Sequence, residues 1–306
     1  MTDAPPPLAR SGVDRAGHLR ADRAWLARAW KNASSQVFVV EAGRALVGGS
    51  AGPQALLRTP TTGAPAGERY FLGIPAGFVE ADEVGVFAVA AALPDPAPPG
   101  TRAATLREVG ATLSDSDAGL FAHAAALEQW HARHPRCPLC GAETVVELGG
   151  HIRRCDSDGS EHHPRTDPAV IMLVTDADDR CLLGRHASWP EGRMSTLAGY
   201  VEAGETLEHA VIREVAEEVG VRVDDVQYVA SQPWPFPSSL MLAFTARAHA
   251  TRLQVDGFEI TEARWFSRED LAAAVADRSL RLPPRSSVAL YLIDRWFGGG
   301  LADSAG

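Results

Sequence analysis

Residues Gly199 to Val221, GYVEAGETLEHAVIREVAEEVGV, decide how this chain is read. A helix over Leu207–Gly220 puts Glu214, Glu217 and Glu218, spaced i, i+3 and i+4, on one face. Three carboxylates that close repel one another. An acidic helix with this pattern is either a solvated surface with cationic partners or a cation site. The chain has a single lysine, Lys31, far from here, so the available partner is the adjacent Arg213, with Glu205 further back. A hard divalent ion such as Mg²⁺ or Mn²⁺ suits such a cluster. It offsets the repulsion, bridges phosphate oxygens and activates water. Gly199 and Gly204 flank the loop leading into the helix, which lets backbone approach phosphates.

Downstream, Ser231 to Ser239 read SQPWPFPSS. Three prolines alternating with Trp234 and Phe236 stiffen the backbone and hold the rings at fixed angles. Such faces suit stacking on a flat heterocycle, although a Pro-rich docking motif or a plain loop would read alike. Around these segments, DPAVIMLVTD and RCLLGRHAS form a predicted hairpin turning at Ala177–Asp179, LMLAFTARAHA and EARWFS read as strands, and LAAAVADRS and SSVALYLIDRWFG as helices. Strands with helices interposed indicate a layered α/β or α+β domain.

Upstream, Cys137-Pro-Leu-Cys140 is a CxxC knuckle, and fourteen residues intervene before Cys155. Thiolates so spaced suit a tetrahedral structural Zn²⁺. A second CxxC would put the fourth ligand at Asp158, while His162 and His163 follow closely. A vestigial site with leftover thiols and a redox pair are the competing readings. Cys181, in mid-strand, reads as a small buried hydrophobe. Residues 1–130 read as a separate domain: hairpin strands around Ala42–Gly43, strands in ERYFLGIPAG and VGVFAVAAAL, a turn cluster at Asp95–Gly100, and helical spacing over residues 101–113 and 114–134, the latter N-capped by Ser116. No catalytic constellation and no short-period repeat is visible there, although this part could be the diverged half of a duplication.

The chain has 306 residues, a two-domain length. With 29 Lys and Arg against 39 Asp and Glu, its charge of −10 disfavours non-specific grip on long nucleic acid or an anionic membrane, without excluding an anionic substrate held through a cation. Four cysteines are too few for a disulfide scaffold and point to a reducing compartment. The start MTDAPPPLAR and the end LADSAG carry no targeting signal, and the longest apolar run, near Phe87–Pro94, cannot span a bilayer. Cytoplasm is the expectation.

The Gly199–Val221 stretch resembles the Nudix box, GX5EX7REUXEEXGU with U aliphatic, at all nine specified positions: Gly199, Glu205, Arg213, Glu214, Val215, Glu217, Glu218, Gly220 and Val221. The resemblance implies an α/β/α sandwich with a mixed sheet, the box forming loop-helix-loop, and hydrolysis of a nucleoside diphosphate linked to another moiety. It makes Glu214 and Glu218 metal ligands and Glu217 a ligand or the base; Arg213 orients the glutamates and Glu205 supports the loop. SQPWPFPSS is similar to the array of the NADH pyrophosphatase (NudC-type) subgroup, which also has an N-terminal domain, a zinc ribbon and a homodimeric assembly. The implied organisation is an N-terminal α+β domain (1–130), a zinc-ribbon-like segment (131–165) and a Nudix domain (166–306).

The implied reaction is hydrolysis of NAD(H) to NMN(H) and AMP, extending to NAD caps on RNA. Other Nudix substrates, such as ADP-ribose or a diadenosine polyphosphate, and a non-catalytic nucleotide sensor are the alternatives. By the same resemblance Gln232, Pro233, Trp234, Pro235, Phe236, Pro237, Ser238 and Ser239 form the dinucleotide-binding segment. Glu259 matches a further metal-binding acid, Ala198 a metal contact by backbone, and Ala289 a substrate contact by backbone. Tyr200 replaces a common Phe and could still stack on a base. His163 stands where many members have Tyr. The ribbon departs at its fourth position, where Asp158 replaces Cys and His162 is the other option.

Overall fold

The computed structural model describes residues 4–49 and 54–301. The outermost residues of both termini, included above in the search for targeting signals, lie outside the described residues. The chain divides into two compact units. Of the described residues, one comprises Asp167–Trp234 and Ser239 to Leu301, with residues 4–9; the other comprises residues 10–49 and 54–166 with Pro235–Ser238.

In the first unit the strand Asp167–Thr175 is the axis. It runs parallel to Ser239–Ala248, from Asp167 opposite Ser239 to Thr175 opposite Arg247, and antiparallel to Leu197–Tyr200, with Val170 opposite Gly199. Val223–Trp234 flanks the sheet beyond Ser239–Ala248, and Cys181–His186 with Ile260–Phe266 extends it on the other side, making a mixed sheet. The axis strand is apolar almost throughout because it is covered on both faces. Its pleat sends Val170, Met172 and Val174 to one core, where they pack with Ala210, Val211, Val215 and Val219 of the helix Leu207–Val219. Ile171 and Leu173 point the other way, to Cys181, Leu183, Phe266 and the residues Val288, Ala289, Leu292 and Ile293 of the helix Val288–Phe297. This is the expected α/β/α sandwich. Cys181 is fully buried, and burial pushes its thiol up to about 12, as suits a core hydrophobe.

The second unit has a larger sheet in which Gln36–Glu41 and Arg44–Gly48 form the expected hairpin, turning through Ala42 and Gly43, both at positive φ (48° and 72°). Gln36–Glu41 lies parallel to Val86–Ala90, which pairs antiparallel with Glu68–Pro75. Two local expectations are corrected. Thr101–Thr105 is a strand paired with Arg44–Gly48, and the helix begins only at Leu106, where Thr105 and Glu108 form a reciprocal capping box. The long helix Asp115–Arg133 is capped by Ser114, whose hydroxyl accepts the Asp117 N–H at 3.1 Å, so Ser116 lies inside its first turn. A small sheet of Thr144–Glu147, Ile152–Cys155 and Glu161–His162 carries the cysteine cluster. No helix among the described residues is long and apolar enough to cross a membrane.

Candidate active site and zinc site

The helix Leu207–Val219 starts at Thr206, whose side chain accepts the His209 N–H, and stops at Gly220, which takes the left-handed conformation (φ 70°) and donates its N–H to Ala216. Between these caps, Arg213 organises the carboxylates. Its Nε and Nη2 donate to the two oxygens of Glu205 at 2.8 and 2.9 Å. Nη1 donates to Glu214 at 2.8 Å and to Glu217 at 3.0 Å, and Nη2 also to the Tyr200 carbonyl at 3.0 Å. All five guanidinium N–H donors are thus engaged. The bidentate pair holds the Glu205 carboxyl down to about 2; that side chain also accepts the Glu202 N–H, fixing the loop before the helix.

The three glutamates are not equivalent. The Glu217 side chain is 61% exposed, whereas Glu214 and Glu218 are buried. Burial, then the charges of Glu214, Glu259, Asp256 and Glu217, pushes Glu218 up to about 8. Burial is also the main cause that raises Glu214. Glu218 Oε2 is buried without a hydrogen-bond partner. A buried carboxylate oxygen with nothing to accept from, among four more acids, is the donor set a hard cation completes. Gly199 is required beside it, because an added Cβ there would fall on the Glu214 carboxyl group. Glu259 is exposed and faces this cluster closely enough to raise both buried glutamates.

Asp256 was not singled out by sequence. It accepts the backbone N–H groups of Phe258, Glu259 and Ile260 at 2.9–3.2 Å and donates its own N–H to the Glu218 carbonyl, so it shapes the loop that presents Glu259. An Asx turn at Asp256-Gly257 was the available signal.

The SQPWPFPSS segment divides. Gln232 is fully buried, its amide accepting the Leu8 N–H at 3.3 Å and donating to the Ser286 carbonyl at 3.0 Å. Pro233 and Trp234 continue the same strand. The Ser239 hydroxyl lies 3.3 Å from that of Tyr200, whose ring is exposed. Pro235, Phe236, Pro237 and Ser238 group with the second unit, where the Pro235 carbonyl accepts from Gln129 at 2.7 Å and the Arg107 guanidinium lies 4.7 Å over the Phe236 ring. Ala198 is in the strand beside Gly199, opposite Ile171. Ala289 is buried, its N–H donated to the capping Ser287 hydroxyl. His163 is exposed in the second unit.

In the ribbon, one donor atom each from Cys137, Cys140, Cys155 and Asp158 lies within 4.8 Å of all the others. Two turns of one design provide them. Gly141 N–H bonds the Cys137 carbonyl and Gly159 N–H the Cys155 carbonyl, both at 2.9 Å, and both glycines have positive φ (79° and 73°). Cys140 and Asp158 occupy the same third position after the leading cysteine of each turn. Asp158 Oδ1 is taken by the N–H and hydroxyl of Ser160, leaving Oδ2 toward the thiols, 3.3 Å from Cys137 Sγ; Cys140 and Cys155 Sγ are 3.4 Å apart. Tetrahedral Zn²⁺ with Zn–S near 2.3 Å needs donor separations of about 3.8 Å, so the set fits the ion after a small adjustment. His162 is not in the set: its Nε2 lies 3.0 Å from the Ser160 hydroxyl, one step behind Asp158.

Comparison with known proteins agrees with this geometry. Residues 165–285 match the NUDIX domain, 132–162 the NADH pyrophosphatase zinc ribbon domain, and 34–130 the NADH pyrophosphatase-like rudimentary NUDIX domain. A NAD-capped RNA hydrolase NudC of Mycobacterium bovis is 39% identical over 308 residues, spanning 95% of this chain and 94% of that protein. The chain belongs to the NADH pyrophosphatase (NudC-type) family of Nudix hydrolases. A Mycobacterium tuberculosis NudC is 38% identical over the same span. Human NAD-capped RNA hydrolase NUDT12 is 44% identical over 196 residues, 60% of this chain and 42% of that protein. Residues 34–130, for which the sequence leaves open an origin as the diverged half of a duplication, thus match a rudimentary NUDIX domain, and the box carboxylates lie outside that match.

Proposed function

We propose that this Nudix hydrolase cleaves the pyrophosphate of NAD(H) to NMN(H) and AMP, and takes the NAD cap from RNA 5′ ends by the same reaction. The observation that carries the reading is the Arg213-centred cluster, with an unpartnered buried Glu218 oxygen at its heart. Glu214, Glu217 and Glu218, with Glu259 and the Ala198 carbonyl, are assigned to Mg²⁺ or Mn²⁺. Held there, such an ion would supply charge neutralisation for the pyrophosphate and make water more acidic. Glu217, the exposed member, takes the proton as water attacks phosphorus and the bridging P–O bond breaks. Arg213 holds Glu214 and Glu217 in place and Glu205 anchors Arg213. Tyr200 is assigned to a base face, and Trp234 and Phe236 to the dinucleotide. Gln232 and Ala289 are assigned to the same substrate site, with the Gln232 amide and the Ala289 N–H already bonded within the protein, so that their contact with substrate is by the remaining atoms.

The ribbon takes one structural Zn²⁺ through Cys137, Cys140, Cys155 and Asp158, with His162 supporting Asp158 through Ser160. The assignment extends to three parts at 1–130, 131–165 and 166–306, a homodimer and a cytoplasmic setting; the unpaired thiols suit the last. The test is product analysis after incubation with NADH, NAD, ADP-ribose, a diadenosine polyphosphate and NAD-capped RNA, each with Mg²⁺ or Mn²⁺. AMP and NMNH from NADH, and 5′-monophosphate RNA from the capped substrate, are expected. Tight binding without products, or preference for ADP-ribose, overturns the proposal.

A further inference from the structure

The second unit holds a group of two arginines and two histidines that the reaction does not use. Arg15 and Arg20 come from the segment around the short helical turn Gly17–Ala21, His123 from the middle of the helix Asp115–Arg133, and His151 from the turn after Leu148–Gly150. The two imidazoles meet edge to face with centroids 5.0 Å apart. His151 is 92% buried, being 8% exposed, yet neither of its ring nitrogens has a hydrogen-bond partner, and Arg20 Nε is buried and unpartnered as well. Among the described residues neither Arg15 nor Arg20 is paired with a carboxylate, in a chain with ten more acidic than basic residues. The neighbouring His131 is accounted for: its ring bonds the Gly150 carbonyl at 2.8 Å and faces Arg153 at 3.0 Å.

Each buried polar group left unpaired costs about 1–3 kcal/mol, and the turn that carries Arg20 packs against the one that precedes His151, so these neighbouring side chains call for a partner. Burial, then Arg20 and Arg15, holds His151 down to about 3, and burial and Arg15 keep His123 well below its ordinary value. Arg20, half-buried, and Arg15, exposed, thus bring positive charge toward the two rings with no carboxylate partner among the described residues to offset it. A water molecule would satisfy hydrogen bonds without answering that charge. Guanidinium forks match the tetrahedral oxygens of phosphate, and imidazoles add further donors.

We propose that Arg15, Arg20, His123 and His151 form a binding site for a phosphate-class oxyanion, separate from the box carboxylates. Free orthophosphate and the phosphate of a nucleotide such as AMP share this chemistry. The test uses the full chain in a non-phosphate buffer without added divalent metal. Histidine ring resonances are followed by NMR while orthophosphate, AMP or, as a carboxylate control, acetate is added at constant ionic strength. Saturable shifts of the His151 and His123 resonances with orthophosphate are expected, with acetate inert. Tighter saturation by AMP would identify a nucleotide phosphate as the natural occupant. Calorimetry should show this binding weakened at least tenfold in the Arg15→Gln/Arg20→Gln double variant and retained in Glu218→Gln. If the double variant does not fold, the ring resonances of the unaltered chain still decide. Rings that do not respond to either phosphate, or that respond equally to acetate, overturn the proposal.

Discussion

Glu218→Gln separates the two things the buried carboxylate does. Without a divalent ion, Glu218 has an oxygen with no partner and four acids around it, and its pKa is raised from 4.5 to about 8. A folded-state pKa above the unfolded one means that between about pH 4.5 and 8 the native state binds more protons. Stability of the metal-free protein therefore falls as pH rises through that window, by at most about 1.4 kcal/mol per pH unit and on the order of a few kcal/mol in all. At roughly 2–4 °C per kcal/mol, the melting temperature should drop by roughly 5 °C or more from pH 5.5 to 8.5. Gln keeps the shape and removes the titration, so the variant should lose most of this slope and melt higher than the parent at pH 8.5. Divalent metal should reverse the order: at about a hundred times its dissociation constant it stabilises the parent by about 2.7 kcal/mol, and the variant much less. NADH hydrolysis should fall by orders of magnitude. Scanning calorimetry of both proteins at several pH values, with and without Mg²⁺, checks all of this. An unchanged slope in the variant would refute the placement of an ionisable, unsatisfied carboxylate at the centre of the site.

Three further outcomes are expected. Gly199→Ala places a methyl on the Glu214 carboxyl group and should cut turnover at least a hundredfold, with KM for NADH changing far less; steady-state kinetics measures both. Arg213→Lys keeps the charge but has three donors for five acceptor contacts; turnover should fall more than tenfold and stability by about 1–3 kcal/mol, read by kinetics and chemical denaturation. Asp158→Cys should retain one Zn²⁺ per chain and release it to a chromogenic chelator more slowly than the parent, because thiolate is the softer ligand. Asp158→Ala should lose it and His162→Ala keep it; the reverse pattern would move the fourth ligand to His162.

What was legible in the sequence follows from how each residue acts. Glu205, Arg213, Glu214, Glu217 and Glu218 act through side chains borne by one helix and its leading loop, so helical periodicity alone collects them. Glu259 lies on another loop and joins them only because Asp256 spends its carboxylate on three backbone N–H groups, a role with no side-chain partner to read from spacing. At residues 101–105, TRAAT suits helix and strand alike; the free edge of Arg44–Gly48 settles it as strand, a choice made by tertiary pairing rather than propensity. The fourth ribbon donor was ambiguous for a related reason. Asp158 and His162 are both acceptable zinc ligands by chemistry, and they are separated only by the repeated turn that places position three after Cys155 where Cys140 follows Cys137. Gln232 shows the converse. Its place in an array that resembles a dinucleotide-binding segment suggests contact with ligand, yet both ends of its amide are engaged within its own unit, to Leu8 and Ser286. Motif position therefore identified the segment, whereas which of its atoms remain free for a substrate depends on partners more than fifty residues away in the chain.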